Sequence, residues 1–196
     1  MIVLASASRA RARLLRDAGA PFEAVSSGVD ERAIKSRLLA EGAFPRAIAE
    51  QLAEAKALAV SAGRPGDLIV GADQTLDLNG ALFDKPETLV EVRDHLRRLR
   101  GRAHVLHTAT ALVRDGEIAW RMTRSPRLTM RDFSDGFLDD YLARQGEALL
   151  NSLGCYHLEG MGAQLFDRTE GDWFAVLGLP LIELLAALRE QGALAR

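Results

Sequence analysis

The acid at position 73 is where chemistry could be organised in this chain. It follows Leu68, Ile69, Val70, Gly71 and Ala72. The branched apolar residues read as a buried strand, and the Gly-Ala pair lets something pack close to the backbone. An acid where a buried strand runs out has the usual position for function in a parallel α/β sheet. Taken locally, a turn explains Asp73 better, because Asp is a common turn residue. The rest of the chain shifts the balance by supplying isolated charges in similar element-to-loop positions. Asp30 and Glu31 form either the acidic first turn of a helix or a carboxylate offered to a metal, with Asp73 as the second acid. Arg11 lies in the first turn of a helix, where a cation opposes the dipole unless a ligand uses it. Lys56 lies in a helical run and reads locally as solvated. Lys85 is held beside Pro86, which stiffens its turn. Acids, a divalent metal and basic residues suit hydrolysis of a phosphate ester or anhydride.

The elements that would position these residues follow from periodicity. Residues 2–5 read as a first strand, and Ser8 caps a helix running to about Ala18. A strand, a loop containing Ser6 and Ser8, and a helix N-terminus together make an anion site. Arg9 and Arg13 read as a solvated face. Phe22 to Val25 reads as a second strand. Apolar residues at Ile48, Leu52, Ala55, Leu58 and Ala59 predict a helix over 45–62. Asn79-Gly80 and Asp115-Gly116 are hairpin signals. Thr88 caps a helix from Leu89 to Arg100. A strand from His104 to Val113 is followed by a return strand from Glu117 to Met130, and Ser134 opens a helix through Leu142. Residues 171–177 read as the last strand, and a closing helix runs from Leu181 to Arg189 behind Pro180. His104 and His107 lack metal-ligand spacing and read as structural. Cys155 reads as a small core residue. Arg121, Arg124, Arg127 and Arg131 read as a solvated face.

Composition bounds the partners. The 196 residues are 48% hydrophobic and 27% charged, with a formal net charge of -2. That is ordinary globular composition, with no basic excess that would announce a nucleic-acid partner. No apolar run approaches membrane-spanning length. One cysteine excludes an internal disulfide and suits a reducing cytoplasm, so a cytoplasmic protein is expected. The opening residues lack a basic n-region and are expected to be a strand, not a signal peptide. No linker, repeat or low-complexity tract divides the chain, so residues 1–196 are expected to form a single domain. P-loop, dinucleotide-fold glycine, zinc and nucleophile-elbow patterns are all missing from the sequence.

Eight stretches, in order, resemble the Maf family of nucleoside triphosphate pyrophosphatases. They are Leu4 to Ser8 with Arg11, Leu14 and Leu15; Val29 to Glu31; Glu54 to Ala57; Gly71 to Asp73; Lys85-Pro86; Gly101-Arg102 with His104; Gly154 to Tyr156; and Gly178 to Leu181. The resemblance implies an α/β fold with an elongated, twisted mixed sheet flanked by helices, two lobes around a cleft, and often a homodimer. It implies hydrolysis of a nucleoside triphosphate between the α- and β-phosphates, with Mg²⁺ or Mn²⁺. On the matching positions, Asp73 is the catalytic acid and Glu31 a metal-associated acid. Arg11, Lys56 and Lys85 surround the triphosphate, and Ser6 and Ser8 belong to the phosphate loop.

Departures from the family pattern bear on the base. The first loop often reads Ser-Pro-Arg-Arg; here Ser8 is followed by Arg9, Ala10 and Arg11. Members of the dTTP/UTP type carry Thr after the catalytic Asp and a Gln-Gly pair, whereas this chain has Gln74 and Glu159-Gly160. Both positions resemble the 7-methyl-GTP type, although Ala10 cannot stack as that subgroup's aromatic would. Gln74 and Glu159 could hydrogen-bond a purine edge, and a carboxylate suits a cationic methylated base. The expectation is therefore a modified purine nucleotide such as 7-methyl-GTP in a house-cleaning role. The alternatives are dTTP or UTP, a non-catalytic cell-division regulator, and a metal-dependent phosphomonoesterase.

Overall fold

The computed structural model describes residues 1–195. In chain order the strands are β1 (Ile2–Ala5), β2 (Glu23–Val25), β3 (Leu68–Leu78), β4 (Ala81–Phe83), β5 (Ala103–Arg114), β6 (Glu117–Arg124), β7 (Arg127–Met130) and β8 (Phe166–Glu170). The α-helices are α1 (Arg9–Asp17), α2 (Glu31–Ala40), α3 (Pro45–Ser61), α4 (Leu89–Leu99), α5 (Asp135–Gln145), α6 (Trp173–Val176) and α7 (Leu181–Glu190). The eight strands form one mixed sheet, with the main path β2-β1-β3-β5-β7-β8, β4 beside β3 and β6 beside β5. β1 runs parallel to β2 and β3; the hairpin pairs β3·β4 and β5·β6 are antiparallel. The expected α/β class with a mixed sheet and flanking helices is observed.

The chain folds into two compact units. The first comprises Met1–Gln74, His107–Ser125 and the residues from Asp172 onward; the second comprises Thr75–Leu106 and Pro126–Gly171. In the first unit, β1 and β3 are buried on both faces, as parallel strands require. Ile2, Leu4, Leu68, Val70 and Ala72 pack on Leu15 of α1 and on Leu181, Leu184 and Leu188 of α7. The alternate residues Val3, Ala5 and Ile69 pack on Ala57 of α3. The sheet thus lies between α3 on one side and α1 with α7 on the other.

Local signals explain most boundaries. Ser8, Asp30, Thr88 and Ser134 each accept a backbone N–H at the start of a helix. Asn79-Gly80 and Asp115-Gly116 hold both central residues at positive φ, as a two-residue hairpin loop demands. Three expectations need correction. β3 does not run out at Asp73; it continues to Leu78, and the alternating residues 74–78 belong to the same strand. The return strand predicted over 117–130 is interrupted at Ser125-Pro126, where proline offers no N–H to the ladder. Residues 171–177 do not form the last strand. Gly171 takes φ +101 and the Asp172 carboxylate accepts from the Phe174 N–H at 2.9 Å, which starts the short helix α6. A short apolar run cannot be assigned to strand or helix by periodicity alone. The last strand is instead β8, antiparallel to β7 and mostly exposed, so it lacked a buried alternation.

In the second unit His104 and Cys155 are core residues, as expected. His104 Nε2 lies 2.7 Å from the Tyr156 hydroxyl, and Nδ1 is buried without a partner. Burial pushes the imidazole down to about 4 and the Cys155 thiol up to about 12. The unfolded histidine therefore binds its proton first as pH falls below 6.5, and stability is lost between there and pH 4. Between pH 7 and pH 5 this group alone should remove about 2 kcal/mol. Denaturant unfolding of wild type and His104→Gln at both pH values checks this. Equal losses of stability in the two proteins would contradict it.

Candidate active site

The Ser-rich loop after β1 is held by its own hydroxyls and by Arg11. Ser6 Oγ accepts from the Ser8 N–H at 3.2 Å and from Arg11 Nη1 at 3.3 Å. Ser8 Oγ caps α1 by accepting from the Arg11 N–H at 3.4 Å. The Arg11 side chain also donates from Nη1 to the Ala72 carbonyl at 2.8 Å and from Nε to the Gly178 carbonyl at 2.9 Å. Three of the guanidinium's five N–H groups are thereby used, and the Nη2 pair remains. Burial lowers the Arg11 pKa, while the charges of Asp73 and Glu31 oppose that shift. Arg11 thus ties together the end of β1, the middle of β3 and the turn after α6.

The acid at position 73 is inside β3 and 7% exposed. Successive strand residues alternate faces, so Gly71 and Asp73 share one face and Gln74 takes the other. The face of Gly71 carries α3. A Cβ at Gly71 would stand 2.1 Å from the Ala53 carbonyl and 2.8 Å from Ala57 Cβ. The missing side chain lets the helix rest on the strand backbone, and this brings Lys56 of α3 to Asp73. Lys56 Nζ donates to Asp73 Oδ1 at 2.6 Å and pairs with Glu31 Oε2 at 2.9 Å. Its side chain is only 7% exposed. The local reading of Lys56 as a solvated lysine is therefore corrected: the i, i+3, i+4 pattern put it on a helix but not against which partner.

Glu31 follows the cap residue Asp30 at the start of α2 and is exposed. The first-turn reading of these acids holds: Asp30 caps α2, and Glu31 lies in its first turn, where it pairs with Lys56. Lys35, one turn further along α2, is half-buried. Burial lowers its pKa, and the charges of Asp73 and Glu31 push the other way. Lys35 was missed in the sequence; its only signal was the i, i+4 spacing from Glu31. Thr108 was missed as well. It is fully buried in β5 and donates to the Ala175 carbonyl at 2.7 Å.

The Gln74 amide faces α6. Its nitrogen donates to Thr108 Oγ1 at 2.7 Å and to the Ala175 carbonyl at 2.9 Å. The carbonyl acceptor fixes the amide's orientation, and the side-chain oxygen is left to accept. Ala10 is exposed on α1. Ser6, Ser8, Ala10, Arg11, Glu31, Lys56, Asp73 and Gln74 all belong to the first unit. Lys85, in the loop before α4, and Glu159, in the turn before Gly160, belong to the second unit and are exposed.

The carboxylates present limit how a metal could be held. Among the described residues no group of three or more His, Cys, Asp or Glu stands together. The cluster offers two carboxylates, each with one oxygen engaged by Lys56. That set fits Mg²⁺ held by one or two carboxylates and completed by phosphate oxygens and water, and it does not fit an all-protein cage.

A family model described as Maf-like protein matches residues 1–191. The chain is 56% identical over 193 residues to a protein of Caulobacter vibrioides named nucleoside triphosphate pyrophosphatase, covering 98% of this chain and 96% of that one. It is 47% identical over 194 residues to a protein of Rhizobium meliloti named 7-methyl-GTP pyrophosphatase, covering 99% and 98%. A Brucella abortus protein of the same name is 44% identical over 190 residues, covering 97% and 96%.

Proposed function

The chain belongs to the Maf family, and from that premise we propose that it hydrolyses nucleoside triphosphates between the α- and β-phosphates, releasing a monophosphate and pyrophosphate. The observation that carries the reading is the buried Lys56 ammonium bridging Asp73 and Glu31 beside the Arg11 guanidinium. Triphosphate hydrolysis asks for positioned positive charge and a placed water, with little covalent work by the protein. A water attacks the α-phosphorus, its proton passes to the Asp73 carboxylate, and the bond to the bridging oxygen of the β-phosphate breaks. Ser6, Ser8, Arg11, Lys56 and Lys85 bind the phosphates. The fixed partners of Arg11 keep its Nη2 edge oriented without rearrangement. Glu31 and Asp73 would hold a Mg²⁺ or Mn²⁺ ion, which supplies charge neutralisation and acidifies bound water.

For the base we propose 7-methyl-GTP or a related modified purine. Two relatives carry that substrate in their names. The Gln74 amide is oriented so that only its oxygen is left, which suits a base edge that donates N–H, as guanine does. The Glu159 carboxylate suits the positive charge of a 7-methylated ring. Uracil and thymine also donate one ring N–H, so UTP and dTTP are the second reading. The protein is expected to act as a homodimer in the cytoplasm. Among the described residues no helix is long and apolar enough to cross a membrane.

A panel of 7-methyl-GTP, GTP, dTTP, UTP, ATP and CTP with Mg²⁺ or Mn²⁺, read for pyrophosphate, tests both levels. Release is expected from 7-methyl-GTP above the others. Release of orthophosphate would indicate a phosphomonoesterase, and no turnover of any nucleotide would sink the hydrolase reading.

A further inference from the structure

Resting on that reading, we propose that Thr108 is a positioning residue for base selection: its buried hydroxyl holds the Gln74 amide with the oxygen turned toward the base. Thr108 lies on β5, the sheet neighbour of β3, and is fully buried. A buried strand position favours a β-branched side chain but has no use for a hydroxyl, which costs free energy there unless it is hydrogen-bonded. Valine would fill the same space. The Thr108 hydroxyl is used twice. It donates to the Ala175 carbonyl at 2.7 Å and accepts from the Gln74 side-chain nitrogen at 2.7 Å.

The direction of each bond follows from the count of protons. A hydroxyl has one proton and a backbone carbonyl only accepts, so the Thr108 proton goes to Ala175. Lone pairs are left toward Gln74, and they require the amide nitrogen, not its oxygen. The Ala175 carbonyl makes the same demand, accepting from that nitrogen at 2.9 Å, with the Val176 carbonyl a weaker acceptor at 3.4 Å. The result is a closed triangle of hydrogen bonds joining β3, β5 and α6. It leaves the Gln74 oxygen as the group that can meet a base. Guanine, uracil and thymine carry a ring N–H on their pairing edge, whereas adenine and cytosine carry a bare ring nitrogen. An amide oxygen held in place favours the first set, and one that can turn does not. The turn after α6 also presents the Gly178 carbonyl to Arg11. An effect passed through α6 to Arg11 would reach the phosphates, which every nucleotide shares, so base preference is the property that isolates Thr108.

The test uses the full chain and compares ATP with whichever of 7-methyl-GTP, GTP and UTP the wild type prefers. Pyrophosphate release is followed with Mg²⁺, and binding by titration calorimetry without metal. Thr108→Val is expected to lower the preference over ATP by about fivefold, the loss of one neutral hydrogen bond, both in kcat/KM and in dissociation constant, and chiefly through KM. Thr108→Ser keeps the hydroxyl and should keep the preference. A merely structural Thr108 would lower the folded fraction for both nucleotides alike and leave their ratio unchanged. In a Gln74→Ala background the preference should already be low, and adding Thr108→Val should lower it no further. Thr108→Ala takes the place of the valine variant if that one fails to fold. An unchanged ratio in Thr108→Val, a fall shared by Thr108→Ser, a further fall in the double variant, or a wild type without preference over ATP would each overturn the proposal. Binding is read without turnover. A binding preference that falls in Thr108→Val, in a protein that hydrolyses no nucleotide, would refute the hydrolase reading while supporting Thr108.

Discussion

Gly71→Ala is expected to destabilise the protein by about 3 kcal/mol or more, beyond the usual range for one added methyl group in a core. The new Cβ would lie 2.1 Å from the Ala53 carbonyl oxygen and 2.8 Å from both Ala57 Cβ and the Ala57 nitrogen. Those are backbone and stub atoms of one helix, so no rotamer change relieves them. The helix α3 has to move off the strand, and Ala49, Ala53 and Ala57 move with it. Lys56 rides on the same helix, so its 2.6 Å contact with Asp73 lengthens too. Thermal unfolding should show a midpoint lower by about 6–12 °C for a chain of this size. Gly63→Ala is the control. A Cβ there meets nothing within 4 Å, and its effect should stay within about 0.5 kcal/mol. Equal midpoints for the two variants would mean that the close approach of α3 to β3 is not what fixes this region.

That single glycine shows what was legible in the sequence and what was not. Gly71 was readable as a place of close approach, because a glycine in an apolar strand has few other uses. Which element approaches was not, since the partner lies 14 to 18 residues earlier on a helix whose apolar period is satisfied by several faces. For the same reason Lys56 read as solvated. Helical spacing sets its angle around the axis, but burial depends on the strand that the helix meets. The anion-type loop of Ser6, Ser8 and Arg11 was legible because cap, loop and helix are contiguous. Contacts of Arg11 with Ala72 and Gly178, 61 and 167 residues away, left no local trace. The order of eight family stretches supplied those long-range relations. It could not supply Lys35, which belongs to none of them, or α6, where the Asp172 cap outweighed an apolar run that suited a strand equally well.

Asp73→Asn is expected to lower kcat for pyrophosphate release by at least about 100-fold, the usual worth of a general base, while KM stays level or falls. The amide keeps the shape of the carboxylate but does not accept the water's proton. Its oxygen can still receive the Lys56 ammonium, so α3 is not forced away from β3. Electrostatics give the variant a distinctive signature. Removing one of two acids facing Arg11, Lys35 and Lys56 raises the net positive charge of the cluster, so a polyphosphate should bind at least as well as to wild type. Lys56 then keeps only Glu31 as a charged partner, and a stability loss of about 1–3 kcal/mol should accompany the change. A merely structural Asp73 would give a different pattern: loss of stability with kcat preserved in the folded fraction. A non-catalytic regulator would retain its cellular effect in Asp73→Asn. Steady-state kinetics on the folded variant, with tripolyphosphate affinity measured beside it, separate these outcomes. Turnover within tenfold of wild type would remove Asp73 from the chemical step, leaving it only the task of holding Lys56 in the core.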